Sequence, residues 1–308
     1  MKDSLMIYLK GLLMGAADVV PGVSGGTIAF ITGIYKRLLS AIAAFDLGLI
    51  ATLKAEGVVG VWRKVDGNFL AALLAGIVTS MALLARVLHF ALEHHSLWVW
   101  SFFFGLVVAS VAHIWRQISS PGVSSWLLLL TGTFIAYSIS VATPVDAPTA
   151  NWFIFVAASI AICATILPGI SGSFILLLLG VYPVVIEAIG YGDFVVIGHF
   201  VGGAILGLLT FVKGVSYIFN RFESQTLAVL TGFLIGSLNS LWPWKVTVES
   251  MMNRKGEWVP IIQNRVMPAT YESQTGMGAD SMICVGMMIL GVTLVLFLEF
   301  STTKETSK

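Results

Sequence analysis

Two short stretches carry residue types suited to holding an anion. In the first, Ser24, Gly25, Gly26 and Thr27 follow Pro21 and Gly22; in the second, Ser171, Gly172 and Ser173 follow Pro168 and Gly169. Proline ends an incoming helix and glycine permits the turn that follows. Serine is a good N-cap for the helix that leaves. The small residues after it leave backbone N–H groups uncovered at a positive helix end, an arrangement that accepts phosphate or carboxylate. A structural role competes with this reading, because small residues also let membrane helices pack closely. The second copy of the motif favours the anion site.

The elements that must position these stretches are apolar. Hydrophobic residues make up 57% of the chain and charged residues 11%, against roughly 25% charged in soluble domains. Residues 67–85, 117–145, 147–186, 194–212, 224–244 and 281–298 contain no charge, and a spanning helix needs about 20 such residues. The net charge of +1 gives no sign of a nucleic-acid partner. Cys163 and Cys284 lie in apolar runs without metal or disulfide spacing and read as small buried hydrophobes. No metal site and no cofactor are expected. Lys2 and the apolar run after it resemble a signal peptide, but Lys10 and Asp18 interrupt the run and the region recurs later, which assigns it to the fold.

Displaced by 147 positions, residues 21–42 fall on 168–189, and Pro21, Gly22, Ser24, Gly25, Gly33, Tyr35, Ala41 and Ile42 meet identical residues. A partial copy at 121–125 lacks the later Gly-x-Tyr and reads as a loop. After each full copy come three apolar segments, 68–91, 97–115 and 124–142 in the first half and 194–219, 226–242 and 281–300 in the second. An odd number of crossings per half turns the halves opposite ways. The expected fold is an all-α integral membrane protein of two inverted-topology repeats, 1–145 and 146–308. Each is a Pro-Gly-tipped re-entrant helical hairpin, 4–42 or 151–189, followed by three transmembrane helices, with an outer loop at 243–280. With the N-terminus in the cytoplasm, Lys36, Arg37, Lys54, Arg63, Lys64, Arg116, Arg221, Lys304 and Lys308 all lie inside. The short outer connections 92–96, 143–151 and 190–193 then contain no Lys or Arg, the positive-inside pattern.

Each Pro-Gly break fits either two full spans or a hairpin whose tip stays inside the bilayer. The re-entrant form is favoured, because the tips lack charge and Lys10 and Asp18 make 4–20 a poor span. Irregular backbone at membrane depth must line a cavity or be buried in protein, and opposite orientations would bring both tips to the midplane. Asp18, three residues before Pro21, and Glu187 in the second copy are candidate carriers of a coupling cation. Arg37 is a candidate for phosphate, whereas Lys36 reads as an interfacial anchor. Arg86, His89 and Lys213 read as snorkelling side chains, and His113 and His199 near helix ends are weaker candidates for proton handling.

At "GAADVVPGVSGGT" (15–27) and "ILPGISGSFILLLLGVY" (166–182) the chain resembles the bacterial polyprenyl-phosphate transporters of PopT type, over nearly its whole length. The resemblance implies a multi-pass protein of the bacterial cytoplasmic membrane with no catalytic step. Its cargo would be undecaprenyl phosphate, a lipid carrier of cell-envelope synthesis, returned from the outer to the inner leaflet. The residues that match are Asp18, Pro21, Gly22, Ser24, Gly25, Gly26 and Thr27, with Pro168, Gly169, Ser171, Gly172 and Ser173. Moving an anion inward against an inside-negative potential costs about 2.3 kcal/mol per charge per 100 mV, so H+ or Na+ is expected to accompany the lipid. The expected partners are thus the lipid, the coupling ion and the surrounding membrane; homo-oligomerisation is left open. A small-anion or metabolite transporter is the alternative. An undecaprenyl-diphosphate phosphatase of the bacitracin-resistance type is a weaker one, because its tip carries an arginine where Gly25 and Gly172 stand here, removing the group that would stabilise phosphoryl-transfer charge.

Overall fold

The computed structural model describes residues 2–20, 23–119, 121–145, 148, 150–252 and 258–306. Pro21 and Gly22 lie outside the described residues.

Helix α1 (Lys2–Val19) leads to the first Pro-Gly motif, and α2 (Gly25–Ile31) leaves it. A turn at 32–34 separates α2 from α3 (Tyr35–Ala43), so residues 24–42 form two helices where one continuous arm was expected. The second motif behaves alike: α8 (Asn151–Ile166) arrives, α9 (Gly172–Leu178) leaves, and α10 (Tyr182–Tyr191) turns off at 103°. The cause is local. Gly33 and Gly180 adopt φ of 73° and 66°, the left-handed region where a right-handed helix must stop.

Helix α4 (Gly48–Lys64) bends 93° away from α3. Then come α5 (Gly67–His94), α6 (Ser96–Trp115) and α7 (Val123–Val141). After α10 follow α11 (Phe194–Arg221), α12 (Glu223–Leu241), strands β1 (Lys245–Met252) and β2 (Trp258–Arg265), α13 (Pro268–Thr275) and α14 (Ser281–Thr306). Among the described residues, five helices (α5, α6, α7, α11 and α14) are long and apolar enough to cross a membrane, or up to seven spans if each bent pair counts as one. Their outer faces are apolar, as with Leu74, Val78, Leu127, Phe134 and Ile205, which suits hydrocarbon as the solvent. Helix α12 is more polar and is not among the five. It is enclosed by protein, with Leu230, Thr231, Leu234 and Ser237 buried, so its surroundings are other helices and not lipid.

Four helix pairs form the frame, each a close parallel crossing at glycine. Gly11 and Gly15 of α1 sit against the backbone of Leu73 and Ile77 on α5, and Gly203 and Gly207 of α11 against Phe155 and Ser159 on α8. Gly232 and Gly236 of α12 sit against Leu129 and Thr133 on α7, and Gly291 of α14 against Phe102 on α6. In the first three pairs the numbers rise together, and α6 and α14 meet start to start at Trp98–Asp280 and end to end at His113–Glu299, so the helices of each pair run the same way. A Cβ at Gly15 would stand 2.7 Å from the Ile77 carbonyl oxygen and one at Gly236 2.5 Å from that of Thr133, distances that only glycine avoids.

The segment 243–280, expected as a loop, carries the antiparallel pair β1–β2, with Lys245 opposite Arg265. Both cations are placed by helix ends. Arg265 donates to the carbonyls of Asn239 (3.2 Å) and Ser140 (3.0 Å), and Lys245 to that of Ser240 (2.6 Å). Helices α7 and α12 both end here, and cations near their last carbonyls offset the negative poles. That attraction opposes the repulsion of facing like charges. Lys245 also lies over the Trp100 ring, 3.4 Å from its centre. Burial, with Arg265 beside it, pushes the Lys245 ammonium down to about 7.

Below pH 7 Lys245 is charged in the folded and unfolded chain alike, and the full cost of burying it is carried. Between about 7 and the ordinary 10.5 the folded form sheds the proton first, so stability rises with pH. Thermal melts followed by tryptophan fluorescence should show a Tm that climbs from pH 6.5 to 9, with a smaller climb in Lys245→Met. The glycine crossings give a second expectation. Gly291→Ala should destabilise the detergent-solubilised protein by about 1–3 kcal/mol. Gly286→Ala on the same helix, where a Cβ meets nothing within 4 Å, should leave the melt unchanged.

Candidate functional site

At the first break Ser24 is extended (φ −121°, ψ 136°), and its Oγ accepts the Gly26 N–H at 3.1 Å. Asp18, the last charged residue of α1, turns its Oδ1 onto the Gly25 N–H at 2.6 Å. Protein crowds Asp18 on most sides, yet its side chain keeps an open face. The expectation of uncovered N–H groups therefore does not hold at this tip, because the chain supplies its own acceptors. A Cβ on Gly25 would stand 2.6 Å from Asp18 Oδ2, which explains the glycine.

The second tip differs. Ser171 is also extended and buried, but its hydroxyl pairs with that of Ser173 at 2.9 Å, and no side chain caps α9. Ser173 is exposed. Thr165 stands 147 positions after Asp18 and packs against Gly172 as Asp18 packs against Gly25. Its hydroxyl turns back to the Ala161 carbonyl at 3.0 Å. A neutral threonine thus fills the place that a carboxylate fills in the first copy.

The two tips touch. Thr27 Oγ1 accepts the Gly169 N–H at 2.9 Å, and Ser24 Oγ donates to the Thr165 carbonyl at 2.8 Å. Gly26 lies so close that a Cβ would stand 2.6 Å from the Ile166 carbonyl oxygen. Gly169 itself has φ of 86°. The sequence singled out Ser24, Gly26, Thr27 and Gly169 but missed Thr165, whose signal was its register with Asp18.

Other expected residues lie elsewhere. Arg37 is engaged by Asp66 through two bonds of 2.6 and 3.1 Å and covers the Phe69 ring at 4.4 Å. Glu187 is half-buried on α10, beyond the break at Gly180. Lys36 pairs with Glu223 at 3.6 Å. Among the described residues no three His, Cys, Asp or Glu side chains group as a metal site would require. Both cysteines are free.

A multi-pass helical membrane protein, with two broken helices hydrogen-bonded tip to tip, is the class that fold and site define. A family model described as undecaprenyl phosphate translocase-like (VCA0040-like) matches residues 14–259. A polyprenyl-phosphate transporter of Vibrio cholerae is 44% identical over 96% of this chain and 96% of its own length. Another polyprenyl-phosphate transporter, from Staphylococcus aureus, is 30% identical over 76% of this chain and 85% of its own. No solved structure matches. The chain belongs to the undecaprenyl phosphate translocase-like family.

The contact between Asp18 and Gly25 is testable by a double-mutant cycle. Gly25→Ala should lower stability, and adding Asp18→Ala should recover part of the loss. A coupling of about 1 kcal/mol or more in chemical unfolding marks a direct contact, whereas additive losses would mean the two residues do not meet.

Proposed function

We propose that this protein carries undecaprenyl phosphate from the outer to the inner leaflet of the bacterial cytoplasmic membrane, returning the lipid for envelope synthesis such as that of peptidoglycan. The observation that carries the reading is the meeting of the two motifs through Thr27–Gly169 and Ser24–Thr165. The name that the relatives share, polyprenyl-phosphate transporter, supports the cargo.

The parallel pairs support two inverted repeats, 1–145 and 146–308. If consecutive long helices alternate, α5, α6 and α7 run up, down and up. Helix α1, parallel to α5, then runs up; α12 follows α7 up, α14 follows α6 down, and α11 and α8 run down. The first half reads up, up, down, up, and the second is its reverse. For α1 and α5 to start on one side, the chain between them must return to that side, which supports a re-entrant hairpin. The distribution of Lys and Arg then supports both termini in the cytoplasm.

A phosphate carries about −1.5 to −2 charges at neutral pH and cannot enter hydrocarbon without groups that replace its water. At the junction the hydroxyls of Ser171 and Ser173 and the uncapped start of α9 at Gly172 are the groups left to meet it. The Asp18 carboxylate already occupies the opposite tip. Displacing it would open Ser24, Gly25, Gly26 and Thr27 to the same head group and loosen the contact between the tips. Arg37, held by Asp66 outside the junction, is the cation that would receive the phosphate on the inner side. A cation, H+ or Na+, moves inward with the lipid and offsets the charge carried against the membrane potential.

A membrane-impermeant ligand of undecaprenyl phosphate reads how much of the lipid lies outside. Exposure should rise when the protein is depleted and fall when it is overproduced, and overproduced Ser171→Ala/Ser173→Ala protein should fail to lower it. Unchanged exposure with accumulating undecaprenyl diphosphate would replace this reading with a phosphatase. No change in either lipid would point to a small anion as cargo.

A further inference from the structure

Helices α6 and α14 run side by side, joined at their starts by the bond from Trp98 Nε1 to Asp280 (3.1 Å). At their far ends His113 Nδ1 lies 3.1 Å from Glu299 Oε1, with both side chains mostly buried (18% and 27% exposed). The other imidazole nitrogen contacts the Gln117 amide at 2.9 Å, and Gln117 is exposed. The geometry at Nδ1 falls short of a hydrogen bond to the carboxylate. The pair is therefore close enough to share charge.

We infer that His113 and Glu299 form the proton-binding site that couples lipid movement to the proton gradient, an inference that rests on the lipid-transport reading above. Ionisable groups inside apolar helices are costly and are retained for a function. The pair sits where both helices are otherwise apolar and reach the end of their candidate spans. Neutral imidazole beside carboxylate carries one negative charge. Uptake of one proton makes imidazolium beside carboxylate, with no net charge, and release restores the first state. Nothing else is consumed.

Access is one-sided. Just ahead of the pair on both helices lies an apolar cavity of about 80 Å³, walled by Leu106, Leu294, Val295 and Leu298 and, across it, by Ala17 and Ile28 of the first hairpin. An apolar cavity of this kind stays dry, so it bars a water path from the Asp18 side, while Gln117 is exposed at the end of the helix that the proposed orientation puts inside. Asp18 itself is engaged by the Gly25 N–H, which favours a carrier elsewhere. Among the described residues, the other charges near this end have these positions. Lys10 of α1 donates to the Thr32 carbonyl at the end of α2 (2.9 Å), and Arg116 of α6 is exposed. Asp66 before α5 holds Arg37, and Glu223 at the start of α12 holds Lys36.

The test uses the full-length protein in liposomes with undecaprenyl phosphate, comparing lipid equilibration without a gradient and under an imposed pH gradient. Wild type should respond by about tenfold per pH unit, as a one-proton couple does. His113→Gln and Glu299→Gln should equilibrate the lipid as before and lose the gradient response. An internal pH dye should show proton uptake on lipid transport in wild type and none in either variant. A retained pH response in both variants, or a response to Na+ alone, overturns the inference and leaves lipid transport standing. Liposomes in which wild type moves no lipid overturn both, and then the dye records no lipid-dependent proton flux.

Discussion

Backbone that leaves the helix inside a membrane must find its hydrogen-bond partners within the protein. That constraint organises this fold. The chain leaves the helix at two places, and groups freed at the second are met by side chains of the first: the Gly169 N–H by Thr27, the Thr165 carbonyl by Ser24. At the first break the Gly25 N–H is met by Asp18 from the preceding helix. The frame of parallel helix pairs serves to hold two such breaks in contact.

The same constraint explains why the copies differ. An aspartate at one tip and a threonine at the other leave the junction lopsided, with a carboxyl acceptor on one side and a pair of hydroxyls opposite. Two identical tips would either repel an anionic head group from both sides or bind it from both. On the proposed reading, an asymmetric junction would hold such a group weakly and release it, as repeated turnover needs.

Much of this was legible in the sequence. The repeat rested on identities at fixed spacing, and the long helices lie close to the charge-free windows, because hydrocarbon imposes composition directly. Gly33 and Gly180 were legible as matching residues but not as turns. The residues around them are continuously apolar, and such a run looks alike whether the helix continues or bends. Asp18 was legible as a charge out of place. Its partner was not, because contact with Gly25 depends on how the chain folds back across the break. Arg37 was legible as a cation after the motif, but its partner Asp66, remote in the chain, was not. The strands at 245–252 and 258–265 gave little signal, since what fixes them is the pair of helix ends that Lys245 and Arg265 reach.

The crossing of α7 on α12 and of α14 on α6 has a consequence for how the molecule was assembled and how it is able to move. The last helix of each half has its glycine-lined neighbour in the other half. The halves are thus interlaced, as in a dimer that has traded its final helices. A chain severed between α7 and α8 would yield two pieces, each missing the surface against which its own end must pack. Nor are the halves free to swing apart as rigid bodies, since that would tear α7 from α12 and α14 from α6. Motion is left to the short helices around the two breaks, the lightest parts of the machine.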